Sequence, residues 1–168
     1  MLTVVHFCRL LPNLFISYAL RFVEKVYAVS IVIPCAESLT VEFKSDRNGY
    51  PDRELIEALT CLANTSGGEL WLGVEDDATP SGLHLKHQNT IHLQGLIAEQ
   101  TMPPLVVSID LHCINQVLVA QIHVPRAPTL VATYEGVYLK RRLKQDGTPE
   151  CIRITPEGDN LDRLSGVS

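Results

Sequence analysis

The stretch at residues 58–77, Ala-Leu-Thr-Cys-Leu-Ala-Asn-Thr-Ser-Gly-Gly-Glu-Leu-Trp-Leu-Gly-Val-Glu-Asp-Asp, leaves the backbone little freedom. Ala58, Leu59, Leu62 and Ala63 recur at helical spacing, so one helix face is apolar. Asn64, Thr65, Ser66, Gly67 and Gly68 stop that helix, because Asn and Gly accept the left-handed backbone a helix C-terminus needs. Leu70, Leu72 and Val74 then alternate with Glu69, Trp71 and Gly73, which predicts a strand with one face in a core. Glu75, Asp76 and Asp77 follow at its tip, as a solvated loop or as part of a site.

A chain of 168 residues, 46% apolar and 20% charged, suits one domain with a real core. Its net charge of −5 argues against a nucleic-acid coat over the whole surface and leaves local basic faces open. Cys8, Cys35, Cys61, Cys113 and Cys151 are scattered, with no Cys-x-x-Cys pair. We expect reduced, mostly buried thiols in a cytoplasmic protein, and no zinc ligation.

Residues 1–33 are rich in apolar side chains, interrupted by Arg9, Pro12, Asn13, Arg21, Glu24 and Lys25. No uncharged run reaches the roughly eighteen residues a membrane span requires, and a signal peptide fits poorly. Leu14, Phe15, Tyr18, Phe22 and Tyr27 suit the stripe of an amphipathic helix over residues 14–28. The expectation is an N-terminal extension over 1–33, helical or poorly ordered. A membrane- or partner-binding helix is the alternative.

From Pro34 onward the pattern sharpens. Val41 and Phe43 alternate with Thr40, Glu42 and Lys44 as a short strand, and Ser45–Pro51 is a polar turn. Asp52 is placed to cap a helix that buries Leu55, Ile56, Leu59 and Leu62. A second helix is expected over residues 87–100. Leu105–Leu111 and Gln116–Val124 read as a hairpin joined by His112–Asn115. A last strand spans Gly136–Arg142, and residues 158–168 form a flexible tail. The order strand, helix, strand, helix, hairpin, strand predicts an α+β domain over 34–157. It is a mixed sheet of about five strands with two helices packed on one face.

Two segments carry a resemblance. Glu37-Ser38-Leu39-Thr40-Val41-Glu42-Phe43-Lys44, followed by Leu62-Ala63-Asn64-Thr65-Ser66-Gly67-Gly68-Glu69-Leu70-Trp71-Leu72-Gly73-Val74-Glu75-Asp76, resembles the Schlafen AlbA-like domain. That family shows E-S-x-x-x-E-F-K and then A-N-T-x-G-G-x-L-x-x-G-V-x-D. Pro103-Pro104 and Val124-Pro125 also match its habit, and the likeness spans roughly residues 34–150. Bacterial members are described as DNA-binding domains, often ahead of helical regulatory segments, and were once called divergent AAA ATPases. Vertebrate Schlafens include endoribonucleases that cut structured RNA.

In the nuclease members, the resemblance implies two glutamates and an aspartate holding a divalent metal, here Glu37, Glu42 and Asp76. Hard oxygen ligands suit Mg²⁺ or Mn²⁺. Lys44 shares a strand face with Glu42 and is positioned to meet a phosphate. Glu37 and Glu42 are five apart and face opposite sides of a straight strand, so the trio converges only if residues 36–39 turn first. The plainer alternatives are a solvated Asp76-Asp77 turn and an exposed Glu42–Lys44 pair. Gly67-Gly68 follows a helix and lacks Gly-Lys-Ser/Thr, which argues against conventional ATP binding.

Lys140, Arg141, Arg142 and Lys144 form the candidate nucleic-acid contact, with Lys140 and Arg142 on one strand face and Arg141 on the other. Where the family has an arginine followed by glycine and a small polar residue, Leu143-Lys144-Gln145-Asp146-Gly147 stands instead. The plain alternative is a charged edge strand that resists aggregation. Two functions follow: a nucleic-acid-binding module, DNA before RNA, of the kind found in transcriptional regulators, or a metal-dependent nuclease. Exposed sheet edges also allow a homodimer.

Overall fold

The chain divides into two compact units, Met1–Ile33 and Pro34–Ser168. The computed structural model describes residues 31–156. The expected helix over 14–28 and the tail from Gly158 lie outside the described residues.

Two four-stranded sheets make up the second unit. Strands β1 (Val41–Lys44), β2 (Gly68–Leu72), β4 (Ser108–Ile114) and β5 (Val117–Val124) form the first, in the order β1-β2-β5-β4. β1 runs parallel to β2, and the other neighbours are antiparallel. The second sheet is antiparallel, in the order β3 (Thr101–Met102), β6 (Ala132–Thr133), β7 (Tyr138–Leu143) and β8 (Pro149–Ile154). Helix α1 (Asp52–Ala63) touches β2 and β5 of one sheet and β6, β7 and β8 of the other, whereas α2 (Thr90–Glu99) lies against β3 and β4.

The α+β class and the order of helices and hairpin are as the sequence indicates. The strands are more numerous and split into two sheets. β3 and β6 are two residues each, too short to show a period, and β8 lies beyond the last strand the pattern predicts, Gly136–Arg142.

α1 is buried over most of its circumference because it has a sheet on either side. Leu55, Ile56, Leu59 and Leu62 meet Leu70, Leu72, Ala120 and Ile122 in the main core. Asp52 does not cap it: Pro51 holds the N-cap position, and the Asp52 carboxylate reaches His87 Nε2 and Lys86 Nζ, each at 3.1 Å. The expected helix over 87–100 starts later, because Asn89 caps it by accepting the His92 N–H and Leu85–His87 form a separate 3₁₀ turn. Trp71 was expected on an outer face but is 1% exposed; register sets it beside the fully buried Phe43. β2 is thus buried on both faces at its centre.

The glycine pair turns α1 into β2. Gly67 has φ +72° and donates to Leu62 O at 2.9 Å, which closes the helix end. At Gly68 a Cβ would stand 2.1 Å from Thr40 O, so only glycine lets β1 and β2 lie together here.

Candidate functional site

The residues before β1 turn back on the strand. Ser38 N–H donates to Val41 O at 3.0 Å, and Glu37 Oε1 accepts the Phe43 N–H at 2.9 Å. Glu37 thereby comes alongside Glu42 and Lys44, which share a strand face. Lys44 Nζ is paired with Glu42 and lies 3.9 Å from Glu37. From β7, Arg141 NH1 pairs with the other Glu42 oxygen, while its NH2 donates to Val41 O at 3.2 Å. Arg141 is 6% exposed, and its Nε is buried without a hydrogen-bond partner.

This cluster lines one side of a cleft of about 580 Å³ between β1, α1 and the β7–β8 hairpin. Glu37, Glu42, Glu54 and Glu57 stand with Lys44, Arg141 and Arg153 there, so carboxylates outnumber cations, while Glu150 lies at its edge and turns to Arg142. Tyr50 lies among them. Burial first, and then the charges of Glu54, Glu42 and Glu57, push its phenol above the usual range, so it stays a neutral donor. Cys61 and Cys151 close the wall as a disulfide with Cα atoms 6.1 Å apart. The expectation of reduced, buried thiols therefore fails at this pair, and Cys35 and Cys113 are exposed instead of buried. Scattered spacing hid the pair, because strand β8 carries Cys151 back to α1 across 90 residues.

Asp76 is not among these residues. It is exposed in the turn after β2, where Glu75 N–H donates to Thr79 O at 2.9 Å. Its neighbours are the engaged carboxylates of that turn: Asp77 accepts the Thr79 N–H at 2.9 Å, and Glu75 reaches further. Hydrogen bonds from Ser81 and Ser45, aided by Arg47, hold its acid below the ordinary range. Among the described residues no group of three His, Cys, Asp or Glu side chains is disposed to hold a metal ion. The oxygens of Glu42 are taken by Lys44 and Arg141, and one oxygen of Glu37 by a backbone amide. These pairings occupy the oxygens a divalent ion would need.

The cations of β7 separate as alternation requires. Leu139 and Arg141 face inward, whereas Arg142 is exposed and Lys140 half-buried on the other face. Arg142 Nε pairs with Glu150 at 2.7 Å, and Lys144 is exposed at the hairpin turn. Arg141, grouped in sequence with the surface cations, is instead a buried partner of Glu42. Arg153 and Glu150 escaped the sequence reading because β8 did.

A family model described as Schlafen, AlbA_2 matches residues 37–149. The chain belongs to this family. Among solved structures, the Schlafen AlbA_2 chain is similar to the DIP2311 protein from Corynebacterium diphtheriae, with TM-score 0.55 and 20% identity over 69% of this chain and 22% of that one. A second similar structure is the N-terminal domain of a RecG-related protein from Nitrosomonas europaea. The TM-score is 0.41 and the identity 24%, over 54% of this chain and 65% of that one. The chain thus spans under two thirds of either structure's length, and the likeness to the first concerns the fold alone. No curated protein matches it. No described helix of the Schlafen AlbA_2 chain is long and apolar enough to cross a membrane.

Proposed function

We propose that this Schlafen AlbA_2 domain is a nucleic-acid-binding module that holds a polynucleotide backbone on the outer face of the β7–β8 hairpin. The row Tyr138, Lys140, Arg142 and Lys144 carries this reading. By alternation Tyr138, Lys140 and Arg142 share one side of β7, each about 7 Å from the next, and Lys144 follows at the hairpin turn. Cations at that spacing suit successive phosphates, and the aromatic ring suits an unstacked base. The cleft on the opposite side is a poor home for phosphate, because its carboxylates outnumber its cations.

Binding of this kind supplies affinity with little sequence discrimination, as expected of backbone contacts. DNA is the preferred partner over RNA, in the manner of a regulator's recognition domain. The alternative is a nuclease in which Glu37, Glu42 and Asp76 hold Mg²⁺ or Mn²⁺ beside Lys44. It has the proximity of Glu37, Glu42 and Lys44 in its favour and the position of Asp76 against it.

Retention of labelled single- and double-stranded DNA and of tRNA, measured over a salt series, tests the reading. The expected result is salt-sensitive binding without cleavage. Each of Lys140→Ala, Arg142→Ala and Lys144→Ala should lower the salt slope by about one. Cleavage that needs Mn²⁺ and disappears in Glu42→Gln would replace the binder with the nuclease. Absence of retention at low salt would dismiss both.

A further inference from the structure

We infer that Cys61 and Cys151 form a reversible thiol–disulfide exchange site, a tether that fastens the β7–β8 hairpin across the mouth of the cleft and that thiols unlock. Three observations carry it. Cys61 sits in the core-packed helix α1 at 1% exposure, whereas Cys151 is exposed on β8. Among the described residues β8 is an edge strand, hydrogen-bonded within its sheet to β7 alone. Both cysteines line the cleft, together with Glu150 and Arg153 from the same strand. Unlocking the tether therefore loosens the strand that supplies part of the cleft wall and holds Arg142 through Glu150.

The difference in exposure sets the direction of the chemistry. An incoming thiolate, from a small or protein thiol, reaches the sulfur of Cys151 and not that of Cys61. A bond forms between that thiolate and Cys151 Sγ while the Cys61–Cys151 bond breaks. The electron pair leaves on Cys61 Sγ, which then takes a proton. The mixed disulfide at Cys151 has two fates. Cys61 attacks it and restores the tether, expelling the thiol. Alternatively, a second thiol attacks it, leaving two cysteine thiols and an external disulfide. Any effect of the tether on polynucleotide contact rests on the proposed function above. The exchange site itself does not.

The test uses the full chain purified without reductant. N-ethylmaleimide labelling read by peptide mass should leave Cys61 and Cys151 unmodified until a dithiol is added. Reduction should speed amide exchange over residues 149–154 by about tenfold or more, with β4–β5 unchanged. Cys151→Ser should show the faster exchange without reductant. If that variant does not fold, the wild-type comparison with and without dithiothreitol decides alone. Labelling of both cysteines without reductant, or identical β8 exchange in the two states, overturns the inference. Failure to retain oligonucleotide in either state removes the proposed function and leaves the tether standing.

Discussion

Asn64 commits its amide to the segments around it. Nδ2 donates to Val131 O at 2.8 Å and to Leu139 O at 2.9 Å, and Oδ1 accepts the Val131 N–H at 2.8 Å. Next to it, Thr65 Oγ1 accepts the Arg141 N–H at 2.7 Å. Two residues at the end of α1 thus satisfy backbone groups of β7 and of the strap leading to β6. Asn64→Ala should cost about 3 kcal/mol or more, because two carbonyls and an amide are left buried and unpaired. Asn64→Asp should cost as much or more, since a carboxylate oxygen would then face those carbonyls. The midpoint of urea unfolding reads both, and a shift under about 1 kcal/mol would sink the assignment. Gly68→Ala should be worse still, since its Cβ would collide with backbone that cannot move aside.

The loop at residues 45–51 is clipped to the 3₁₀ turn by a carboxylate–imidazole–carboxylate chain in which Asp46 and His87 are buried and Asp52 is exposed. Asp46 accepts from Tyr50 N–H and His84 N–H and bonds His87 Nδ1 at 2.9 Å, while His87 Nε2 meets Asp52. Burial works to raise the Asp46 acid, but bonds from His87, Tyr50 and His84 outweigh it and hold it low. Burial likewise works to lower His87, and Asp46 and Asp52 outweigh it, so the imidazole titrates above its ordinary range. The His87 contribution is complete below the unfolded value, about 6.5, and fades as pH rises through the raised one. The Asp46 contribution is complete above about 4 and fades as pH falls through its lowered value. Stability from the clip should therefore peak between about pH 4 and pH 6.5, and His87→Gln should flatten the loss on the alkaline side of a melting-temperature profile. An unchanged slope would remove His87 from the account. None of this clip was legible in the sequence, because Asp46, Asp52 and His87 meet only through tertiary folding. By contrast, the period of α1, the stop at Gly67-Gly68 and the β4–β5 hairpin could be read directly, since local backbone preference and core-facing pattern agree there. Of the candidate site, alternation puts Glu42 and Lys44 on one strand face, whereas Glu37 entered through the family resemblance and joins them because the chain turns before β1. Arg141, Tyr50 and the disulfide were not legible, since α1 and the second sheet bring them in.

Both sheets share α1, so the Schlafen AlbA_2 fold should come apart as one unit. The sequence holds a single tryptophan, Trp71, in the first sheet, whereas far-ultraviolet dichroism reports both. The two probes should trace one coincident unfolding curve, and Leu59→Ala should move both by about 2–5 kcal/mol. Separate transitions would mean that the sheets are independent. The cleft cluster has one more consequence at this scale. Parallel pairing with β2 turns the amide and carbonyl groups of Val41 and Phe43 outward. Glu37 accepts from the Phe43 amide, Lys44 donates to the Phe43 carbonyl, and the Ser38 amide and Arg141 donate to the Val41 carbonyl. That rim has little left with which to recruit a foreign ribbon, so a sister molecule growing the first sheet would have to zip onto β4 at the opposite boundary.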